Sequence, residues 1–193
     1  MTQGVELSAE ELAGVMSRAE CLHDADAIEA ALDRLGLAIT ASLSQHRPLV
    51  LGVMTGAIVP LGRLLTRLTF PLELDYIHAT RYHKSTTGRE LVWLARPQTP
   101  LRGRHVLIVD DILDEGHTFR GLLEACREEG AASVQTAVLA DKPNAGRVPG
   151  LEADFVGLTV PERYVFGVGM DYKGYLRNVE GIYAAHRDDE DES

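Results

Sequence analysis

A chain of 193 residues is long enough to bury a sizeable core, and we expect a single domain over residues 1 to 187. The formal net charge of -10 argues against a general nucleic-acid or membrane-surface binder. Two cysteines are too few for a disulfide framework, and no segment has the pattern of a signal peptide or membrane span, so a cytoplasmic protein is expected.

Residues 8 to 45 predict helices, because apolar side chains recur there at helical spacing. Ser8 and Glu11 resemble a capping box at the first helix start. We expect this N-terminal segment to join the late residues, from about 150 to 187, in a small hood over one edge of a sheet. His23 and His46 flank the helices without a metal-ligand partner nearby, so both are interpreted as surface or packing residues.

A strand is predicted from Leu49 to Met54, followed by a turn at Thr55-Gly56-Ala57 and a helix. Thr55 and Gly56 are therefore candidates for a turn that contacts an anion. An ordinary turn between strand and helix explains the pattern equally well.

Alternating side chains from Leu72 to Arg81 predict another strand, and Leu91 to Ala95 predicts a further one after a polar segment. Together they indicate an antiparallel excursion with a mobile tip. Arg81, Tyr82 and Lys84 could reach an anionic ligand if the loop from Tyr82 to Leu91 folds over as a lid. A charged loop that is simply solvated remains the alternative.

The most informative stretch is the strand predicted at Val106 to Val109, which is apolar enough to be buried on both faces. Asp110 and Asp111 follow it, then a small-residue loop from Asp114 to Thr118 and a helix. Free amides at a helix start favour an anion, and Gly116 permits its close approach. Acidic residues after a buried strand can also simply cap a helix or face solvent. The spacing of Asp114, Gly116 and Thr118 after the acid pair favours a phosphate site.

A further buried strand is predicted from Ser133 to Ala140, which places Lys142 at its carboxyl end, where open α/β sheets bind ligands. Short strands are expected at 155–158, 164–168 and 181–185, and an acidic disordered tail at 188–193. Strands alternating with helices predict an α/β fold, a central and mainly parallel sheet flanked by helices.

Residues 106 to 118 resemble the 5-phosphoribosyl-1-pyrophosphate (PRPP) signature of type I phosphoribosyltransferases. Residues 48 to 187 further resemble the hypoxanthine-guanine phosphoribosyltransferases of purine salvage. The shared pattern runs through Asp141-Lys142-Pro143, residues 153–157, residues 161–167, Met170-Asp171-Tyr172 and residues 175–178.

The resemblance implies a Mg²⁺-dependent transferase, expected to be a homodimer or homotetramer, that converts hypoxanthine or guanine and PRPP to IMP or GMP and pyrophosphate. It implies Asp114 as the general base at N7. The other implied roles are the ribose and 5′-phosphate site (Asp110, Asp111, Glu115, Gly116, His117, Thr118), the pyrophosphate site (Thr55, Gly56, Arg81, Tyr82, Arg177), the purine site (Lys142, Tyr164, Val165, Asp171) and the metal site (Asp110, Asp111, Asp171).

Four positions depart from the common pattern of that family. Thr55 stands where many members have Lys, Arg81 where Ser is usual, and Glu115 and His117 where Thr and Lys are more common. Glu115 is then expected to point away from the phosphate, and Arg81 is expected to supply the positive charge that Thr55 lacks.

The sequence leaves three alternative functions to consider. A phosphoribosyltransferase for xanthine or another base would share the signature. A regulatory protein that senses PRPP or nucleotides would normally need a basic face, which the net charge does not favour. A phosphoacceptor receiver domain would place its acid pair after the first strand, not at residues 110 and 111.

Overall fold

The computed structural model describes residues 6–81 and 91–190, except for the side chains of residues 80, 81 and 91. In chain order its elements are α1 Ala9–Arg18, β1 Glu20–His23, α2 Ala25–Leu43, β2 Leu49–Val53, α3 Ile58–Leu65, β3 Glu73–Arg81, β4 Leu91–Ala95, β5 His105–Leu113, α4 His117–Glu128, β6 Ser133–Asp141, β7 Phe155–Thr159, β8 Val165–Phe166, β9 Ile182–Ala184 and α5 Arg187–Glu190.

Six strands form the main sheet in the order β4-β3-β2-β5-β6-β7. All neighbours are parallel except the β3–β4 pair, which is the predicted antiparallel excursion. The α/β prediction is therefore confirmed. Strands β2 and β5 lie in the middle of this sheet, and β2 is fully buried, as its continuous apolar sequence indicates.

Apolar side chains cover both faces of the sheet. On one face, α2 and α3 pack on alternate residues of the central strands, including Val50, Leu107 and Leu139. On the other face, α4 packs on the intervening residues, including Leu51 and Ile108. Successive side chains of a strand point to opposite faces of the sheet, so each continuous apolar strand contributes to both cores.

A second, three-stranded sheet, β1-β9-β8, packs with α1 to form the hood. The expected capping box is present: Ser8 Oγ accepts a hydrogen bond from Glu11 N at 3.2 Å, and Glu11 accepts one from Ser8 N at 2.7 Å. Strand β1 was not predicted, because its four residues are too few to show a period.

Three segments assigned above to the hood or the tail have other neighbours in the structure. Helix α2 packs on the main sheet, because its stripe from Ile28 to Leu43 is continuous with that core. Strand β7 is the edge of the main sheet, beside β6. Residues 188 to 190 lie in α5, where the Asp189 carboxylate pairs with Arg18 at 2.6 Å.

His23, His46 and Cys126 have packing contacts. The His46 ring lies 4.2 Å from the His105 ring, and His23 Nε2 lies 3.0 Å from the Thr159 carbonyl. Burial raises the pKa of the Cys126 thiol to about 11, which keeps it neutral. Among the described residues, no helix combines the length and apolarity needed to cross a bilayer.

Candidate active site

A cavity of about 510 Å³ opens at the carboxyl ends of the parallel strands. Ligands bind at this edge in open α/β sheets, because the loops after neighbouring strands converge there. Several predicted site residues from distant parts of the chain line it: Thr55, Gly56, Asp110, Asp111, Asp114, Thr118, Lys142, Tyr164, Val165, Asp171 and Arg177.

Asp110 and Asp111 lie within β5, not in a turn after it, which corrects the predicted strand end. The strand continues because the backbone of residues 110, 112 and 113 pairs with β6. The propensity of aspartate for turns is overridden here by this pairing.

The two carboxylates are held by local amides. Asp110 Oδ1 accepts a hydrogen bond from Asp111 N at 2.9 Å, and Asp111 Oδ1 accepts one from Ile112 N at 2.7 Å. Burial raises the pKa of both carboxyl groups, that of Asp110 well above its usual range, with the neighbouring Asp111 charge adding to the rise. Hydroxyl donors or a cation placed in the cavity would favour the charged forms.

The turn after β2 lies directly against this acid pair. A Cβ atom at Gly56 would lie 2.3 Å from Asp111 Oδ2, and one at Gly169 would lie 2.2 Å from the Gly56 carbonyl oxygen. Glycine at both positions therefore allows two loops to close over Asp111. The Met54–Thr55 peptide bond in the same turn is cis.

We predict that Gly56→Ala destabilises the protein by about 1–3 kcal/mol, because the added methyl group must displace the Asp111 carboxylate. Gly62→Ala is the matched control, since nothing lies within 4 Å of its Cβ position in α3, and alanine is favoured there by about 0.5–1 kcal/mol. Urea unfolding of both variants measures the difference. Equal stability of Gly56→Ala and the wild type would contradict the close packing.

Arg177 and Asp171 form a pair on one side of the cavity. Arg177 Nη2 lies 2.6 Å from Asp171 Oδ1, and Nη1 donates to the Gly169 carbonyl at 2.5 Å. The same Nη1 lies 3.9 Å from Asp111 Oδ2. Arg177 is thus the cation nearest the acid pair among the charged groups for which the structure gives contacts.

Asp114 and Lys142 form an ion pair on another part of the lining. Lys142 Nζ also lies 3.5 Å from the Arg163 carbonyl, and Asn144 Nδ2 donates to Asp114 Oδ1 at 2.6 Å. The Lys142 side chain is 15% exposed and that of Asp114 is 43% exposed. This arrangement places one donor cation beside one carboxylate capable of accepting a proton.

Tyr164 and Val165 contribute a wall from the hood. The Tyr164 ring meets the Tyr172 ring edge-on, with centroids 5.5 Å apart, and its hydroxyl accepts a hydrogen bond from Lys173 N at 3.2 Å. Both contacts fix the orientation of the ring. A flat aromatic ligand could stack on it.

Helix α4 begins two residues earlier than predicted, at His117, with Gly116 as its N-cap at a φ of 78°. No side chain caps its first amides, so they are available to an anion. Thr118 lines the cavity, whereas Glu115, Gly116 and His117 do not. The Glu115 side chain is 64% exposed and lies 3.8 Å from His117 Nε2.

Two predicted site residues fall outside this description. Tyr82, with the proposed lid to residue 90, lies outside the described residues, and for Arg81 only the backbone in β3 is described. Conversely, Asn144 and Arg147 contact the site but were not predicted. Both lie in the loop after β6, where the sequence has no periodicity that predicts side-chain direction. Their position shortly after the end of a strand was the one feature that could have indicated a role at the site.

Comparisons with known proteins agree on one family. The profile of the phosphoribosyl transferase domain matches residues 19–173. A hypoxanthine-guanine phosphoribosyltransferase of Streptococcus pneumoniae is 36% identical over 158 residues, covering 81% of this chain and 87% of the relative. The Bacillus subtilis enzyme of the same name is 35% identical over 156 residues, covering 80% and 86%.

Solved structures show the same likeness. A hypoxanthine-guanine-xanthine phosphoribosyltransferase superposes with a TM-score of 0.81 at 29% identity, covering 89% of this chain and 100% of the other. A hypoxanthine phosphoribosyltransferase from Staphylococcus aureus gives 0.84 at 25% identity, covering 95% and 98%.

Proposed function

The chain belongs to the phosphoribosyl transferase family, and from this premise we propose that it transfers the 5-phosphoribosyl group of PRPP to hypoxanthine or guanine. The products are IMP or GMP and pyrophosphate, so the enzyme acts in purine salvage. The observation that carries the proposal is the Asp114–Lys142 pair, which lines one cavity with the buried acids of β5. Relatives that carry this activity in their names match most of the chain.

The purine base is proposed to lie between Lys142 and Tyr164. A lysine ammonium can only donate hydrogen bonds, so it favours a 6-oxo group over the 6-amino group of adenine. Tyr164, fixed by Tyr172, supplies a stacking surface. Val165 lines the same cavity, and its backbone is proposed to read the base edge.

PRPP is proposed to span the acid pair and the start of α4. Asp110 and Asp111 accept hydrogen bonds from the ribose hydroxyls, while amides of residues 115 to 118 bind the 5′-phosphate. Thr55, Gly56 and Arg177 are proposed to bind the pyrophosphate. The roles of Arg81 and Tyr82 at this group stay predictions from the sequence. The exposed position of the Glu115 side chain is compatible with a phosphate at the neighbouring amides.

The reaction forms the bond between N9 of the base and C1′ of the ribose as the C1′–O bond to pyrophosphate breaks. The anomeric carbon becomes oxocarbenium-like, and the leaving group gains charge that Arg177 neutralises. The proton on N7 of the base passes to the Asp114 carboxylate. Lys142 holds the base so that N7 faces Asp114.

A magnesium ion is proposed to enter with PRPP. The described residues contain no group of three or more His, Cys, Asp or Glu side chains arranged to hold a metal. Mg²⁺ commonly uses one or two carboxylates, waters and substrate phosphates, so Asp110, Asp111 and Asp171 fit as partial ligands. Both oxygens of Asp171 have partners, Arg177 and the Gly174 amide, which favours contact through water. When bound, the ion would neutralise charge on the pyrophosphate.

The test is turnover with PRPP and Mg²⁺ across hypoxanthine, guanine, xanthine, adenine, uracil and orotate. Hypoxanthine and guanine should be converted, adenine and the pyrimidines should not, and a chelator should abolish turnover. Xanthine as the best substrate would favour a different base specificity. PRPP binding without turnover of any base would favour a regulatory protein.

We also propose that the enzyme is a homo-oligomer; its cytoplasmic location stays a prediction. Leu74 and Tyr76 lie on one face of β3 and are 53% and 45% exposed, and Leu94 on the adjacent edge strand is 60% exposed. Large exposed apolar side chains on neighbouring strands favour an interface.

We predict that the double substitution Leu74→Glu with Tyr76→Glu lowers the sedimentation coefficient to that of a smaller species, because paired glutamates would be buried against the partner. Leu37→Glu is the control, since Leu37 is 74% exposed on α2. A wild-type chain that sediments as a monomer would contradict the proposal.

A further inference from the structure

We propose that Arg147 is a positioning residue that sets the spacing between Lys142 and Asp114, an inference that rests on the proposed function. Arg147 lies in the loop after β6, and its side chain is only 15% exposed. Its guanidinium group touches the backbone of both residues without lining the cavity.

The guanidinium group links the ends of two neighbouring strands. Nε donates to the Asp114 carbonyl at 2.9 Å, and Nη2 donates to the Leu113 carbonyl at 2.6 Å and to the Lys142 carbonyl at 2.9 Å. Nη1 lies 2.6 Å from Asp141 Oδ1, which balances this partly buried charge. One side chain thus binds the last residues of β5 and β6 and the residue that follows each.

Regular pairing ends just before the two functional residues. The last ladder pair is Leu113 with Asp141, and Lys142 N then donates to the Leu113 carbonyl at 3.0 Å. Beyond that bond, the described contacts between the two strand ends are made by Arg147, by Asn144 and by the Lys142–Asp114 ion pair itself. The loop is further held by Val148 N, which donates to the Glu115 carbonyl at 2.9 Å.

This spacing matters because O6 and N7 are adjacent on one edge of a 6-oxopurine. The donor to O6 and the carboxylate at N7 come from different strands, so their separation depends on what joins those strand ends. Arginine suits the task, because its rigid planar fork offers five donors at fixed angles, whereas lysine offers one flexible point charge.

The experiment compares Arg147→Met and Arg147→Lys with the wild type and with Arg120→Met. Arg120 is the matched control, since it donates to the Pro149 carbonyl of the same loop at 3.2 Å and its described hydrogen bonds reach neither strand end. We expect Arg147→Met to lower kcat/KM for hypoxanthine by about 10- to 100-fold, the effect of a misplacement near 1 Å. Direct binding of PRPP should change by less than about twofold, because the described hydrogen bonds of the Arg147 side chain end at Leu113, Asp114 and Lys142 and do not reach residues 115 to 118.

Active-site titration separates positioning from folding. If Arg147 only stabilises the fold, its substitution lowers the fraction of active molecules and leaves the kcat and KM of the active molecules unchanged. That result would overturn the proposal. If Arg147→Met does not fold, kcat/KM for hypoxanthine is measured in Arg147→Lys instead, where we expect a smaller decrease.

A double-mutant cycle with Lys142→Met tests whether Arg147 acts through Lys142. The combined loss should be smaller than the product of the two single losses, because Arg147 has little to position once the ammonium group is gone. Multiplicative losses would overturn the inference. Inactivity of the wild type with every oxopurine would refute the proposed function, whereas unchanged constants in Arg147→Met beside an active wild type would refute this inference alone.

Discussion

Asp114→Asn is expected to lower turnover of hypoxanthine by about 10²- to 10⁴-fold while leaving the fold intact, the range usual for loss of a general base. Asparagine keeps an oxygen that can accept the Asn144 hydrogen bond, but it cannot take a proton from N7. The ion pair with Lys142 would also be lost, so base affinity is measured separately from the chemical step. Pre-steady-state kinetics with saturating PRPP and base provide that separation.

Asp188→Asn is the control for the loss of one negative charge. Its side chain is 85% exposed, and it lies outside the cavity. Near-wild-type turnover in Asp114→Asn would remove Asp114 from the role of general base.

Lys142→Met is expected to raise the KM for hypoxanthine and guanine by roughly 10- to 100-fold. A hydrogen bond from a charged donor contributes about 1.5–3 kcal/mol, and each 1.36 kcal/mol corresponds to a factor of ten. Methionine nearly preserves the volume of the side chain but removes the donor. The KM for PRPP should change far less, because Lys142 faces the base.

Lys173→Met is the matched control, since the Lys173 ammonium lies over the Tyr172 ring at 5.5 Å and is absent from the cavity lining. If Lys142→Met changes the PRPP kinetics alone, Lys142 is a phosphate ligand. A smaller preference for hypoxanthine over adenine in Lys142→Met would further support the donor role.

The main sheet could be predicted because its signals are local. Strands β2, β5 and β6 are apolar runs of strand length, β3 alternates, and α4 shows a helical stripe. The extension of β5 through Asp110 and Asp111 could not be predicted, because it depends on pairing with β6, which lies more than twenty residues later. The four-residue β1 depends in the same way on β9.

The candidate site could be predicted in large part, because parallel strands bring their carboxyl ends to one edge of the sheet. Thr55, Asp114 and Lys142 each follow a different strand, and all three line one cavity. The supporting contacts of Arg147 and Asn144 could not be predicted, because irregular loops have no period from which a side-chain direction follows. The role of Tyr172 behind Tyr164 likewise depends on the packing of the hood.

A crystal structure of the chain with IMP bound tests the central claim most directly. The account predicts the 5′-phosphate at the amides of residues 115 to 118, the ribose hydroxyls at Asp110 and Asp111, and the purine ring on Tyr164. It also predicts O6 within hydrogen-bond distance of Lys142 Nζ, with N7 facing Asp114. An IMP molecule bound with its base away from Lys142, or outside this cavity, would contradict the account.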